Sequence, residues 1–441
     1  MSTFPEVLEA LRGRWKNDIT PDLDRIRALL DVLGDPQRAY PAIHLTGTNG
    51  KTSTARMVDA VLRAHALRTG RTTSPDLESI TERIALDGQP LSQDAFAAVY
   101  DEVVPLAELV DARVGRVTYF ELLTAMAFAS FADAPVDVAV IEVGLGGRWD
   151  ATNVIDAMVT VVTPISLDHT RLLGDSVADI AAEKAGIIHP LSVAVLGQQV
   201  EAAAEVLTAR AAEVGAGVLR EGIDFGVLDR RLAVGGQQLV LRTPGATYGD
   251  VFLPLLGAHQ AHNAACALAA VQAFLGSPLE PDLVREGFAM ADSPGRLEIV
   301  RRGPTVLLDG AHNPAGARAL AATLDTELAF RHVVAVLSVL DDKDAAGIIE
   351  ALEPVIDVMV CTESGSSRAL PADDLAAVAA DVLGGDRVIA APRLADAIEE
   401  AMRALDDLAL AGEGPGESAA VVITGSLTTV GSARTLLRRR G

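Results

Sequence analysis

Gly47-Thr48-Asn49-Gly50-Lys51-Thr52 is the stretch of this chain whose residue types most plainly do chemistry. It follows a short apolar run, Ala42-Ile43-His44-Leu45, and precedes a helical pattern that begins near Thr52. Strand, glycine loop and helix in that order make a phosphate cradle. Successive backbone N–H groups turn inward on the oxygens, and the helix N-terminus adds positive potential. Lys51 is placed to reach the outer phosphates, and the Thr52 hydroxyl can ligate Mg²⁺. The motif is shorter than G-x-x-x-x-G-K-[ST], because Leu45 stands where the first glycine belongs.

Three further groups could join that loop. Glu142 falls at the C-terminal end of an apolar run, where open α/β sheets bind ligands, and a carboxylate there suits a Mg²⁺ ligand. Gly144-Leu145-Gly146-Gly147-Arg148 follows it and lets backbone and a guanidinium approach an anion, without satisfying the dinucleotide pattern G-x-G-x-x-G. Asp168-His169 comes after the next strand-like run. In isolation such a histidine is more often a loop hydrogen-bonder than a ligand. Lys184, taken alone, is a solvated helix lysine. Only their company gives the last two weight.

The elements that must position these groups alternate along the chain. Val136–Val143 and Met158–Thr163 read as strands, and Thr52–Leu67, Asp94–Val110 and Phe120–Phe131 as helices. Between Arg220 and Phe252, short β-like segments with Gly-Gly and Pro-Gly turns predict a small antiparallel appendage. After a turn-rich boundary near Asp292-Ser293-Pro294-Gly295 come five β-α units. Their strands are Thr305–Asp309, His332–Ser338, Ile356–Thr362, Arg387–Ala391 and Ala419–Thr424. Such a series implies a doubly wound parallel sheet. The expected fold is therefore α/β: an N-terminal P-loop ATPase domain over residues 1–293 with a parallel-rich sheet, and a C-terminal Rossmann-like domain over residues 294–441.

Composition narrows the partners. The formal charge is −23 over 441 residues, which argues against a general nucleic-acid or anionic-membrane binder. The same charge repels ATP and acidic substrates, so a site for them needs metal ions and a local basic cluster. Cys266 and Cys361 read as buried small residues, with no disulfide scaffold or thiolate zinc site. Met1–Trp15 lacks the apolar core of a signal peptide, and no apolar stretch reads as a membrane span. The expected location is the cytoplasm and the expected state a monomer.

The ordered tags across the chain carry a resemblance. Besides the glycine loop they are Ser74-Pro75-Asp76-Leu77, Thr81-Glu82-Arg83-Ile84, Glu142–Arg148, Asp150-Ala151-Thr152-Asn153, Asp168-His169, Glu183-Lys184-Ala185-Gly186, His259–Ala264, Pro294-Gly295-Arg296, Asp309–Pro314, Asp341–Asp344 and Thr424–Leu427. Together they resemble the folylpolyglutamate synthases of the Mur ligase superfamily, in the actinobacterial-type branch that includes bifunctional dihydrofolate synthases. The resemblance implies an ATP-dependent ligase that joins L-glutamate to a folate or pteroate carboxyl through an acyl phosphate. It implies ATP, Mg²⁺ and, as an optional companion, a monovalent cation such as K⁺, with small-molecule substrates only.

Carried onto matching positions, the resemblance implies ATP contacts from Thr48, Asn49, Gly50, Lys51, Thr52, Asn263, Arg296, Asp309 and His312. Arg296 and Asp309 would reach the nucleotide from the second domain. Thr52, Ser74, Glu142 and His169 would ligate Mg²⁺. Lys184 would be carbamylated, turning a cation into a carboxylate. The catalytic set would be Lys51, Lys184, His169 and Arg296. Thr20, Pro21, Asp22, Leu23, Ser74, Thr118, Tyr119, Phe120, Glu121 and Asp150 would line the folate or pteroate pocket. One departure is Asp76, where the family usually has His, which bears on the pterin-side contacts. A cell-wall Mur ligase is the rival within the chemistry, but only about forty residues precede Gly47, too few for its extra domain. A small-molecule kinase and a nucleotide-binding regulatory module are rivals from other classes.

Overall fold

The computed structural model describes residues 2–15, 21–328, 330–411 and 419–440. The chain divides into two compact units. One comprises Met1–Arg231, Gln238–Pro254 and Ala261–Asp292. The other comprises Leu232–Gln237, Leu255–Gln260 and Ser293–Gly441.

Unit 1 is built on an eight-stranded sheet. Its strands are β1 (Ala42–Thr46), β2 (Thr69–Thr72), β3 (Ile84–Leu86), β4 (Gln89–Pro90), β5 (Val138–Glu142), β6 (Val159–Val162), β7 (Val193–Leu196) and β8 (Gly217–Arg220), in the order β4-β3-β2-β5-β1-β6-β7-β8. From β2 to β8 across the sheet every pairing is parallel, and β3 and β4 add an antiparallel edge. β1 is central and every residue of it is buried, as a strand covered on both faces must be. Register sets Leu45 of β1 beside Glu142 of β5 and Val161 of β6. The ends of these three strands therefore deliver the glycine loop, Glu142 and the Asp168-His169 segment at one edge of the sheet.

The helix after the loop, Lys51–Ala64, is amphipathic and pinned to the sheet by charge. Asp59 is fully buried and accepts from Thr69 Oγ1 at 2.6 Å, Arg71 Nη1 at 2.8 Å and Arg63 Nε at 3.2 Å. Burial lowers the Arg71 pKa to about 10, and Asp59 opposes that shift. Three further strands, β9 (Gly226–Ala233), β10 (Gly236–Thr243) and β11 (Ala246–Leu253), form a separate sheet in chain order. Their two-residue connections join only antiparallel neighbours, which is the appendage the turn chemistry predicts.

Unit 2 carries β12 (Glu298–Arg301), β13 (Thr305–Leu308), β14 (His332–Leu337), β15 (Val358–Cys361), β16 (Val388–Ala390) and β17 (Ala419–Thr424), in the order β12-β13-β17-β14-β15-β16. β13 to β17 are parallel, as five β-α units require. β12 is an antiparallel edge that the sequence pattern does not reveal, since its alternating Glu298, Ile299, Val300 and Arg301 are only half-buried or exposed. β2, β7 and β8 were likewise not anticipated; each is only four residues long. No described helix is long and apolar enough to cross a membrane.

Removing the Asp59 carboxylate should leave Arg71 buried without its main counter-charge. Asp59→Ala is expected to destabilise unit 1 by about 3–5 kcal/mol, read as a lower urea midpoint for the transition that reports this unit.

Candidate active site

The glycine loop is held by contacts that only glycine permits. Gly50 caps the helix with φ +86°, and a β-carbon there would lie 2.5 Å from Asn263 Oδ1. Gly47 has φ +147°, and a β-carbon there would collide with the Thr163 hydroxyl of the neighbouring strand end. Between them Thr48 is bolted to the loop after β6. Its Oγ1 donates to the Ser166 carbonyl at 3.0 Å and accepts from Ser166 N at 3.1 Å. Asn263, far off in sequence, thus packs directly on the loop.

Two lysines converge on one carbonyl. Lys51 Nζ donates to Gly47 O at 3.1 Å and to Thr48 O at 3.2 Å. Lys184 Nζ donates to the same Gly47 O at 2.8 Å. Lys184 is not a solvated helix residue: it is 4 % exposed. Burial, reinforced by the Lys51 charge, lowers its pKa to about 7, against the opposing pull of Asp168, Asp150 and Glu183. Near neutral pH much of it is the free amine.

Beside the lysines is a cluster of hard oxygen donors. Thr52 Oγ1 lies 2.9 and 3.0 Å from the two oxygens of Glu142, which also accepts from Ser74 N at 3.2 Å. Glu142 is 2 % exposed. Ser74 Oγ is buried and finds no hydrogen-bond partner among the described residues. One carboxylate and two hydroxyls, one of them the orphaned Ser74 oxygen, fit a cation that keeps most of its shell for water and phosphate, as Mg²⁺ does. They do not make an all-protein cage, and among the described residues no three His, Cys, Asp or Glu side chains gather as one. Asp168 and His169 sit on the loop after β6, where His169 adopts φ +51° and caps a short helical turn, its Nε2 4.0 Å from Asp168 Oδ1.

Glu142 is followed by a loop with a different organiser. Asp150 is buried and its carboxylate is spent on the loop itself. It accepts from Leu145 N at 2.9 Å, from Thr152 N at 2.9 Å and from the Thr152 hydroxyl. Arg148 lies exposed over the Trp149 ring at 5.5 Å.

Three residues of the expected folate-side set, Asp22, Glu121 and Tyr119, meet two arginines outside it, Arg25 and Arg83. Arg25 bridges Asp22 at 3.0 Å and Glu121 at 3.0–3.1 Å. Glu121 also closes a capping box with Thr118 at the start of the helix Tyr119–Asp133. Arg83 pairs with Asp76 at 2.6 Å and stands 5.5 Å over the Tyr119 ring, whose other neighbour is Trp15 at 4.9 Å. The unusual Asp76 is therefore the counter-charge of a stacked arginine. The Phe120 ring packs against Gly144. Pro21 is exposed and Leu23 buried. Thr20 lies outside the described residues. The only sequence signal for Arg25 is its i,i+3 spacing from Asp22; Arg83 stands inside the quoted Thr-Glu-Arg-Ile tag.

Unit 2 has its own cluster at the end of β13. Asp309 accepts from Leu297 N and Ala311 N, each at 2.9 Å. Burial raises its pKa, while Arg296, those N–H groups and His312 act the other way. Arg296 lies across Gly310, where a β-carbon would meet its Nη1 at 2.3 Å, and His312 Nδ1 contacts the Gly310 carbonyl at 2.8 Å.

Comparison with known proteins agrees with this geometry. Residues 45–271 match the Mur ligase middle domain, and residues 295–427 match the Mur ligase glutamate ligase domain. The dihydrofolate synthase/folylpolyglutamate synthase of Mycobacterium tuberculosis is 54% identical, over 100% of this chain and 95% of its own. The chain belongs to this family of Mur ligases. The folylpolyglutamate synthase of M. tuberculosis complexed with ADP superposes with a TM-score of 0.96 at 55% identity, covering 98% of each chain. Escherichia coli FolC in complex with DHPP and ADP superposes at 0.86 with 32% identity, covering 100% of this chain and 98% of that one. The glycine loop Gly47–Thr52 lies within the matched middle domain, with Gly47 and Gly50 under steric constraint.

Gly50→Ala should weaken ATP binding by about tenfold or more. It forces a side chain into an unfavourable φ and displaces Asn263, a combination that costs of order 1–3 kcal/mol. Calorimetric titration with ADP checks it, and an unchanged affinity would contradict the steric argument.

Proposed function

We propose that this chain is an ATP-dependent ligase that adds L-glutamate to reduced folates and their glutamate tails, and that also joins L-glutamate to dihydropteroate. The observation that carries the reading is the double-lysine phosphate loop beside the Thr52–Glu142–Ser74 cluster. The high identity to a dihydrofolate synthase/folylpolyglutamate synthase over the whole chain supports it. The working location is the cytoplasm and the working state a monomer.

Thr48 to Thr52 and Asn263 take the triphosphate; Arg296, Asp309 and His312 are assigned to nucleotide binding by the resemblance. Thr52, Ser74 and Glu142 would hold Mg²⁺, with His169 as the further ligand the resemblance implies and K⁺ as an optional second ion. Mg²⁺, when bound, screens the phosphate charge that a carboxylate nucleophile must approach. A substrate carboxylate oxygen attacks the γ-phosphorus, the bond to the ADP oxygen breaks, and an acyl phosphate forms. Lys51 holds the charge that develops on the transferring phosphoryl group. The free amine of glutamate then attacks the carbonyl carbon, phosphate departs, and the nitrogen gives up its extra proton to a base. Asp22, Thr118, Tyr119, Phe120, Glu121 and Asp150 form or support the folate-side pocket, together with Pro21 and Leu23.

Lys184 enters as a modified residue. Its buried amine, neutral in large part near pH 7, adds to CO₂ and releases a proton, leaving a carbamate anion beside Lys51. Because only the neutral amine reacts, the adduct should accumulate as pH rises through about 7. A mass increment of one CO₂, present in the native chain and absent in Lys184→Arg, is the expected signature. The variant should lose activity by about 10–100-fold.

The reaction itself is tested by glutamate incorporation with dihydropteroate and tetrahydrofolate in parallel. Amide product, ADP and phosphate should all depend on glutamate with both acceptors. Glu142→Ala should abolish turnover while preserving the circular dichroism spectrum. A phosphorylated acceptor formed without glutamate would instead identify a kinase.

A further inference from the structure

His44 is a polar residue in the middle of the fully buried central strand β1, and nothing in the reaction above uses it. It lies in β1 with no exposed surface, level with Ile141 and Thr160 on the flanking strands. Its Nε2 is 2.8 Å from Thr152 Oγ1, and that oxygen is 2.5 Å from Asp150 Oδ1. We propose that His44 is a positioning residue: as the Nε2–H tautomer it donates to the Thr152 hydroxyl and so commits that hydroxyl's single proton to Asp150. The proposal rests on the reading that Asp150 serves the folate-side pocket, and it names what holds Asp150 in its working form.

The proton count decides the direction of the chain. A hydroxyl has one proton to give. Asp150 also takes N–H bonds from Leu145 and Thr152, so its oxygens are acceptors and the Thr152 proton points at them. The Thr152 oxygen must then be the acceptor for His44, which puts the ring proton on Nε2. Burial drives the His44 pKa down to about 3, so the ring is neutral and carries one N–H. Nδ1 is left as a bare lone pair, and it has no partner among the described residues. A stranded acceptor is tolerated in a core more readily than a stranded N–H. The reverse arrangement needs a proton on Asp150, which donates to Thr152 while Thr152 donates to His44. It would strand an N–H at Nδ1.

The chain matters because of where it ends. Through Leu145 N, Asp150 sets the loop Gly144–Gly147 between Glu142 and Lys184. Gly144 backs onto the Phe120 ring, and a β-carbon at Gly147 would lie 2.9 Å from the Lys184 carbonyl oxygen. Thr46 Oγ1 grips the same loop at the Gly146 carbonyl, 2.7 Å away. A buried strand residue is thereby wired to the segment that borders the substrate groups.

Two measurements test this. In the full chain labelled with ¹⁵N-histidine, His44 should show a protonated Nε2 and a bare Nδ1. That pattern should not change over about pH 5 to 8, where ordinary histidines titrate. A proton on Nδ1 overturns the proposal. In kinetics, Thr152→Val and His44→Leu should raise KM for the folate-side substrate about tenfold, the scale of one lost hydrogen bond, with kcat and KM for ATP little changed. Thr152→Ser and His44→Gln, which keep a donor in place, should restore it. Unchanged folate-side KM in the first pair, an equal rise in KM for ATP, or no rescue by the second pair would each overturn it. Asp150→Asn separates the two readings. If its folate-side KM stays at the native value, the assignment of Asp150 fails. If that KM rises while Thr152→Val is native-like, only the relay fails. Should His44→Leu not fold, the tautomer measurement and the Thr152 pair decide.

Discussion

The convergence of Lys51 and Lys184 on the Gly47 carbonyl is the interaction on which the rest of this structure depends. The chain carries a formal charge of −23, and a triphosphate approaches it against that field. Lys51 supplies a local positive charge there, and a second full ammonium that close would be repelled by it. The fold resolves this by burying Lys184, so that its proton is loosely held. The loop must then bend Gly47 and Gly50 into conformations that leave no room for side chains.

Both units meet a second constraint in the same way. Beyond the end of a parallel strand, a buried carboxylate is clasped by backbone N–H groups of irregular segments. Asp150 takes Leu145 and Thr152 in unit 1, and Asp309 takes Leu297 and Ala311 in unit 2. Burial pushes both carboxyls up, and the N–H donors pull the other way. Such carboxylates stiffen irregular backbone exactly where a helix or strand can no longer supply hydrogen bonds. Asp76 plays an outer version of this part, neutralising Arg83 over the Tyr119 ring.

The legible parts of the sequence were local. Strand, glycine loop and helix around residues 42–64 could be read from residue order, because glycine, lysine and threonine at those spacings satisfy few other geometries. The five β-α units of the second half were equally plain, since buried parallel strands are continuous apolar runs. Short strands such as β7 and β8 were not, because four residues do not establish a period. Arg25 and Arg83 stayed hidden for a different reason: an arginine declares its role only through the carboxylate or ring it meets, and those lie elsewhere in the chain or across a turn.

By itself, then, the residue order determined the strand–glycine loop–helix unit, the α/β class and, through its ordered tags, the family. Spacing along a chain encodes local backbone geometry, and these features are local. Only the tertiary structure decided that Lys184 is a buried amine on the Gly47 carbonyl, that Asn263 packs on Gly50, and that His44, Thr152 and Asp150 form one line of hydrogen bonds. Each depends on burial and on atoms brought within about 3 Å from distant parts of the chain, and neither is written in the neighbourhood of any one residue.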